Sequence, residues 1–191
     1  MAIIVVGGSG RNVGKTSLVC GLISGLAEFR WSAVKVSTHD HGKPKPVWEE
    51  TTPGTETDTA RYLKAGAERA LLGTPPMRDD SLGADFPLLL KELWRITGSG
   101  ANLIFESNGI VEYLEPDLCL ALGGGPEDGT WKPSFTLLRE RAHAIVARAA
   151  TDRAKMHVGG AKPTFELAFL ERPSQEMLAW VRQELHAAPG S

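Results

Sequence analysis

The sequence predicts a three-layer α/β fold, a mostly parallel sheet covered by helices on both faces. Two observations carry this. Ile3-Ile4-Val5-Val6, Leu103-Ile104-Phe105 and Leu118-Cys119-Leu120-Ala121-Leu122 are continuous apolar runs without polar alternation, as expected of strands buried on both faces. Between such runs lie segments with helical periodicity, and strands alternating with helices argue parallel crossover connections.

The elements follow in order. Ile3 to Val6 reads as the first strand. Leu18, Val19, Leu22, Ile23 and Leu26 then form an apolar helical stripe ending near Phe29, with Gly21 and Gly25 allowing close packing on the sheet. Ala33-Val34-Lys35-Val36 reads as the second strand, and 38–56, polar and without periodicity, as a long loop. A short helix over about 57–65, an apolar run at 70–72 and an amphipathic helix over about 85–97 follow. After the two strong strands, the sequence predicts a helix near 134–141, strands at 144–146 and 165–169, and a closing helix over 174–186.

With 191 residues, 42% of them hydrophobic, and no linker-like stretch, residues 1–191 are expected to form a single domain. A net charge of -2 and a pI near 6.2 leave no basic footprint, so neither a nucleic acid nor an anionic membrane surface is the expected partner. The N-terminal apolar run is too short to span a bilayer and lacks a cationic leader, which leads to the expectation of a cytoplasmic protein. Cys20 and Cys119 have neither disulfide nor metal-ligand spacing and are expected to be buried free thiols.

The chemistry lies in Gly8-Ser9-Gly10-Arg11-Asn12-Val13-Gly14-Lys15-Thr16-Ser17, directly after the first strand. Such a loop points successive backbone N–H groups at phosphates, and the following helix adds its dipole. Gly10, Arg11, Asn12, Val13, Gly14, Lys15, Thr16 and Ser17 are therefore the expected nucleotide-binding residues. Lys15 would neutralise the β- and γ-phosphates and the Thr16 hydroxyl would help to hold Mg²⁺. Ser9 stands where the usual spacing has glycine, with Gly8 one residue earlier, so the loop is one residue longer than usual or begins on serine. Together these features predict a P-loop NTPase fold.

Doubly wound order would bring Thr16, Lys35, Asp58 and Glu106 to one sheet edge. Glu106, the first polar residue after Ile104-Phe105, is placed to hold Mg²⁺ or orient water. A solvent-facing strand end is the competing reading. Asp58 is either a metal ligand or a helix cap. Lys35, a cation within an apolar strand, calls for an anion such as a phosphate or substrate carboxylate, or else snorkels to water. His39 and His41 flank Asp40 in the polar segment and could hold a metal, move a proton or simply be solvated.

These positions resemble the family of molybdopterin-guanine dinucleotide biosynthesis protein B. The resemblance is carried by the loop, by Val34-Lys35-Val36-Ser37-Thr38-His39-Asp40-His41, by Asp58-Thr59-Ala60-Arg61 leading to Ala65-Gly66-Ala67, and by Phe105-Glu106-Ser107-Asn108-Gly109. The loop is also similar to that of dethiobiotin synthetases, and their pattern implies Thr16, Asp58 and Glu106 as Mg²⁺ ligands; Lys15 and Glu106 are the expected catalytic residues. The resemblance implies GTP as nucleotide, with ATP the alternative, a homodimer, and molybdopterin and a guanylyltransferase as partners met by Lys35, His39 and His41. Ser107-Asn108 departs from the family's glycine after the glutamate, the histidine directly after the second-strand lysine is absent, and Thr151-Asp152 only weakly stands in for a guanine signature. The competing functions are an ATP-dependent small-molecule kinase or ligase of the dethiobiotin synthetase type, and a non-catalytic nucleotide-gated interaction protein.

Overall fold

The structure, a computed structural model, describes residues 1–38, 45–54, 56–76, 84–124, 130–148, 156 and 162–187. Within them lie eight strands and five α-helices: β1 Ile3–Gly8, α1 Lys15–Gly25, β2 Ser32–Val36, β3 Val47–Glu50, α2 Asp58–Lys64, β4 Arg69–Gly73, α3 Phe86–Thr97, β5 Leu103–Glu106, β6 Leu118–Leu122, α4 Pro133–Arg141, β7 Ala144–Ala147, β8 Thr164–Glu166 and α5 Gln175–Ala187.

The strands form one sheet in the order β3-β4-β2-β5-β1-β6-β7-β8. Every pairing is parallel except β3 with β4. Alternate residues of the apolar runs go to opposite faces. Ile4, Val6, Ile104 and Leu120 pack with Leu18, Leu22, Tyr62 and Val181 on one side, while Val5, Phe105 and Cys119 pack with Leu89, Leu93, Phe135 and Leu138 on the other. These are the two covered faces that the unalternating runs predict. Each fully buried leucine such as Leu18 or Leu89 contributes about 1.5–3 kcal/mol relative to exposure.

The chain leaves β1 toward β2 on one side and continues outward through β6, β7 and β8 on the other. That reversal of direction at β1 opens a crevice at the carboxyl ends of the strands, where the β1–α1 loop sits.

Three expectations are corrected. The segment 38–56 is not loop throughout, because Val47–Glu50 pairs antiparallel with β4 as the sheet's edge strand. Its pattern of burial, with Val47 and Glu50 inside and Trp48 and Glu49 half-buried, has no simple apolar period. The first helix ends at Gly25, and a separate 3-10 turn covers Ala27–Phe29. The expected strand at 165–169 is only Thr164–Glu166, with Leu167 just beyond it, donating its N–H to Ala147 C=O and buried in the core. Cys20 and Cys119 are free and buried, and burial raises their thiol pKa values to about 11 and about 12. Among the described residues, no helix is long and apolar enough to cross a membrane.

Candidate functional site

The loop grows from β1 and is fixed at its root by side chains of the neighbouring strand ends. Gly8 N–H donates to Asn108 Oδ1 at 2.8 Å and Gly8 C=O accepts from Asn108 Nδ2 at 3.0 Å. Ser9 N–H donates to Leu122 C=O at 3.0 Å. A Cβ on Gly7 would lie 2.2 Å from Leu138 and 2.7 Å from Asn108 Oδ1, so the strand must be bare there for the asparagine to reach in.

The loop turns through two left-handed residues, Asn12 at φ 58° and Gly14 at φ 102°. Asparagine tolerates that region and glycine adopts it freely. Gly14 also faces Leu170, which would lie 2.2 Å from a Cβ. Its carbonyl accepts the N–H of Leu18 at 3.0 Å and opens α1. Lys15 curls back over the loop and donates to Gly10 C=O at 2.7 Å. Burial holds its pKa below the usual lysine value, so an anion in the loop would be welcome to the ammonium. Arg11, Asn12, Gly14, Lys15, Thr16, Ser17, Lys35, Asp58, Arg61 and Glu106 line one open cavity of about 400 Å³.

Behind the loop lies a charged cluster built by sheet register. Lys35 on β2 pairs with Glu106 on β5, and Glu106 with Val6 on β1. Register partners point to the same side, so both side chains emerge beneath α1 and α2. Glu106 is 2% exposed, which removes the solvent-facing reading. It accepts from Thr16 Oγ1 at 2.8 Å, from the Tyr62 hydroxyl, and from Lys35 Nζ. Lys35 Nζ also lies 3.0 Å from Asp58 Oδ2.

The anions beside Lys35 in this structure are the protein's own, Glu106 and Asp58. Asp58 does not cap α2: Thr57 does, its hydroxyl accepting from Ala60 N–H at 3.1 Å. Burial works against charge on Lys35 and on Asp58, yet their mutual pairing outweighs it. The Lys35 pKa is raised, chiefly by Glu106 with Asp58 adding to the effect, and that of Asp58 is lowered by Lys35, with hydrogen bonding from Thr16 adding to it. Burial, followed by the charge of Glu106, pushes the Tyr62 hydroxyl well above its ordinary value.

Ser17 and Arg61 meet one carboxylate. Ser17 Oγ donates to Glu171 Oε1 at 2.7 Å, and Arg61 Nη2 lies 3.0 Å from both. A second cavity of about 440 Å³ adjoins the first through Lys35 and Asp58, with Trp48, Leu72 and Thr59 among its walls. Beneath it the buried carboxylate of Glu50 accepts from the backbone N–H groups of Thr51 and Thr52 and from the Thr57 hydroxyl, at 3.0–3.1 Å.

Lys15, Thr16, Lys35, Asp58 and Glu106 are therefore gathered at one place. Gly10 contributes its carbonyl to Lys15, and Val13 packs against the core. His39 and His41 lie outside the described residues. Sequence reasoning missed Tyr62, Asn108, Trp48 and Glu50. Tyr62 was findable, because it stands one helical turn after Asp58 and so shares its face.

No family model and no curated protein matches the sequence. Solved structures do match its fold. LpxK from Aquifex aeolicus in complex with ATP superposes with a TM-score of 0.55 at 19% identity, covering 87% of this chain, which spans about half (53%) of LpxK. A MobB homologue from Bacillus stearothermophilus (18% identity) and MobB from Bacillus subtilis (17%) each superpose with a TM-score of 0.50 over 98% of this chain and all of theirs. The chain thus has the three-layer α/β architecture of the P-loop NTPases, similar in backbone to the MobB proteins and to LpxK.

Proposed function

We propose that this protein binds a Mg²⁺–nucleoside triphosphate, GTP by preference, and acts as a slow GTPase or adapter in maturation of the molybdenum cofactor, beside a guanylyltransferase acting on molybdopterin. The observation that carries nucleotide binding is the cavity shared by the loop, Lys15, Thr16, Asp58 and Glu106. The assignment to the molybdenum pathway is supported by the ordered motifs and by a likeness to MobB that runs the length of both chains.

In this reading the loop N–H groups and Lys15 bind the phosphates, and Lys15 exchanges its bond to Gly10 C=O for phosphate oxygens. Asp58, Glu106 and Thr16 offer two carboxylates and a hydroxyl, the hard oxygen donors that suit Mg²⁺. The ion supplies charge neutralisation at the phosphates. Tyr62 and Thr16 orient Glu106 by hydrogen bonds, and Arg61 with Ser17 borders the phosphate end of the cavity.

Titration of the purified protein with Mg·GTP and Mg·ATP tests this. Tighter binding of GTP, with affinity for it at least tenfold weaker in Lys15→Ala, is expected. Preference for ATP overturns the guanine assignment, and an unweakened Lys15→Ala overturns the site.

A second reading, an ATP-dependent small-molecule kinase or ligase, is favoured by the 440 Å³ cavity that shares Lys35 and Asp58 with the phosphate site, room for an acceptor beside the terminal phosphate. Acceptor-stimulated ADP release would establish it over the first.

A further inference from the structure

Lys35 belongs to both cavities. Its ammonium lies between the carboxylates of Asp58, at 3.0 Å, and Glu106, two of the oxygen donors that the proposed function gives to the divalent ion. The inference rests on that reading of the site. A divalent ion and an ammonium a few ångströms apart repel strongly in a half-buried setting, so the two compete for these carboxylates. The lysine is held in place by register, because its Cα is fixed opposite Glu106 on β5 and Leu72 on β4. Its four-carbon stem, however, also lines the second cavity, beside Trp48 and Leu72. Its side chain is 23% exposed, so the ammonium is not sealed beneath the helices.

We propose that Lys35 is an exchangeable counter-cation: it excludes divalent metal from the Asp58–Glu106 pair until metal displaces it, and the displaced ammonium then becomes the anion-binding group of the neighbouring cavity. The ligand class of that cavity is accordingly an anion, such as a carboxylate or phosphate ester, admitted after the metal and held by Lys35 against the Glu56 carboxylate that also lines the cavity. Lys35 acts as a positioning residue, and loading of the two cavities is ordered by one positive charge.

The test is a Mn²⁺ titration of the nucleotide-free, full-length protein followed by electron paramagnetic resonance. Lys35→Met and Lys35→Gln are expected to bind one Mn²⁺ at least tenfold more tightly than wild type, and adding Asp58→Asn to either is expected to abolish the gain. Equal affinity in wild type and variants, or a gain that survives Asp58→Asn, overturns the proposal. A second measurement needs no variant: acetylation of Lys35, read by mass spectrometry, should accelerate when wild-type protein is saturated with Mn²⁺, and an unchanged rate overturns it. Neither measurement uses a nucleotide, so failure of the nucleotide assignment is read separately, from Lys15→Ala.

Discussion

Replacing Asn108 with alanine should loosen the root of the β1–α1 loop. The Asn108 amide faces the Gly8 peptide with both of its ends, accepting from N–H at 2.8 Å and donating to C=O at 3.0 Å. Each such bond is worth about 0.5–1.5 kcal/mol net, and leaving the polar groups of the buried Gly8 unpaired adds to the loss. Asn108→Ala should therefore cost about 2–4 kcal/mol. With a urea dependence of about 2–3 kcal/mol/M for a chain of this size, the unfolding midpoint should fall by roughly 1 M. Asn108→Asp separates structure from charge. It keeps an acceptor for Gly8 N–H but faces Gly8 C=O with a second oxygen and puts a negative charge beside the loop. It should lose nucleotide affinity more severely than alanine does. Urea unfolding by circular dichroism and nucleotide titration by calorimetry measure the two effects. A midpoint for Asn108→Ala within 0.2 M of wild type, a bound set at about a fifth of the expected shift, would refute the view that this amide anchors the loop.

Three further outcomes are expected. Tyr62→Phe removes one of the three groups that hold the buried Glu106 carboxylate, and should lower stability by about 1–3 kcal/mol in urea unfolding. Gly14→Ala should both destabilise the fold and weaken nucleotide binding in calorimetry, because φ 102° is strained for alanine and Leu170 must move from a 2.2 Å approach. Stability should also fall in acid. Asp58 is held below 3.8 by its pairing with Lys35 in spite of burial, while Arg182 holds Glu28 and Arg69 holds Glu49 below 4.5. A depressed folded-state pKa gives stability that is present above the unfolded value and lost as pH falls through the folded one. Urea midpoints measured from pH 5 to pH 2.5, a range set around the reference carboxylate values, should therefore decline, and less steeply in Asp58→Asn.

The sheet and the loop were legible because they follow from local rules. Doubly buried strands cannot alternate, so Ile3 to Val6 and Leu118 to Leu122 announced themselves, and Gly14-Lys15-Thr16 after a strand has few other uses. β3 was not legible. An edge strand holding the carboxylates of Glu49 and Glu50 carries a pattern set by what packs above it, and Glu50 is buried only because Thr51, Thr52 and Thr57 fold around it. The ends of α2 were legible within a residue, but the capping role passed from Asp58 to its neighbour Thr57, which freed the aspartate for Lys35.

By itself, then, the sequence determined the layered architecture, the position of the glycine-rich β1–α1 loop and the four residues that would meet at its end. Those depend on the burial period and on connections between neighbouring elements. Only the tertiary structure decided what these residues do to one another: that Lys35 is satisfied by Asp58 and Glu106, that Tyr62 closes over Glu106, and that Asn108 grips Gly8. Such pairings depend on strand register and helix rotation across separations from 23 residues, Lys35 to Asp58, to 100, Gly8 to Asn108, and a charge finds its partner only after the core has fixed both.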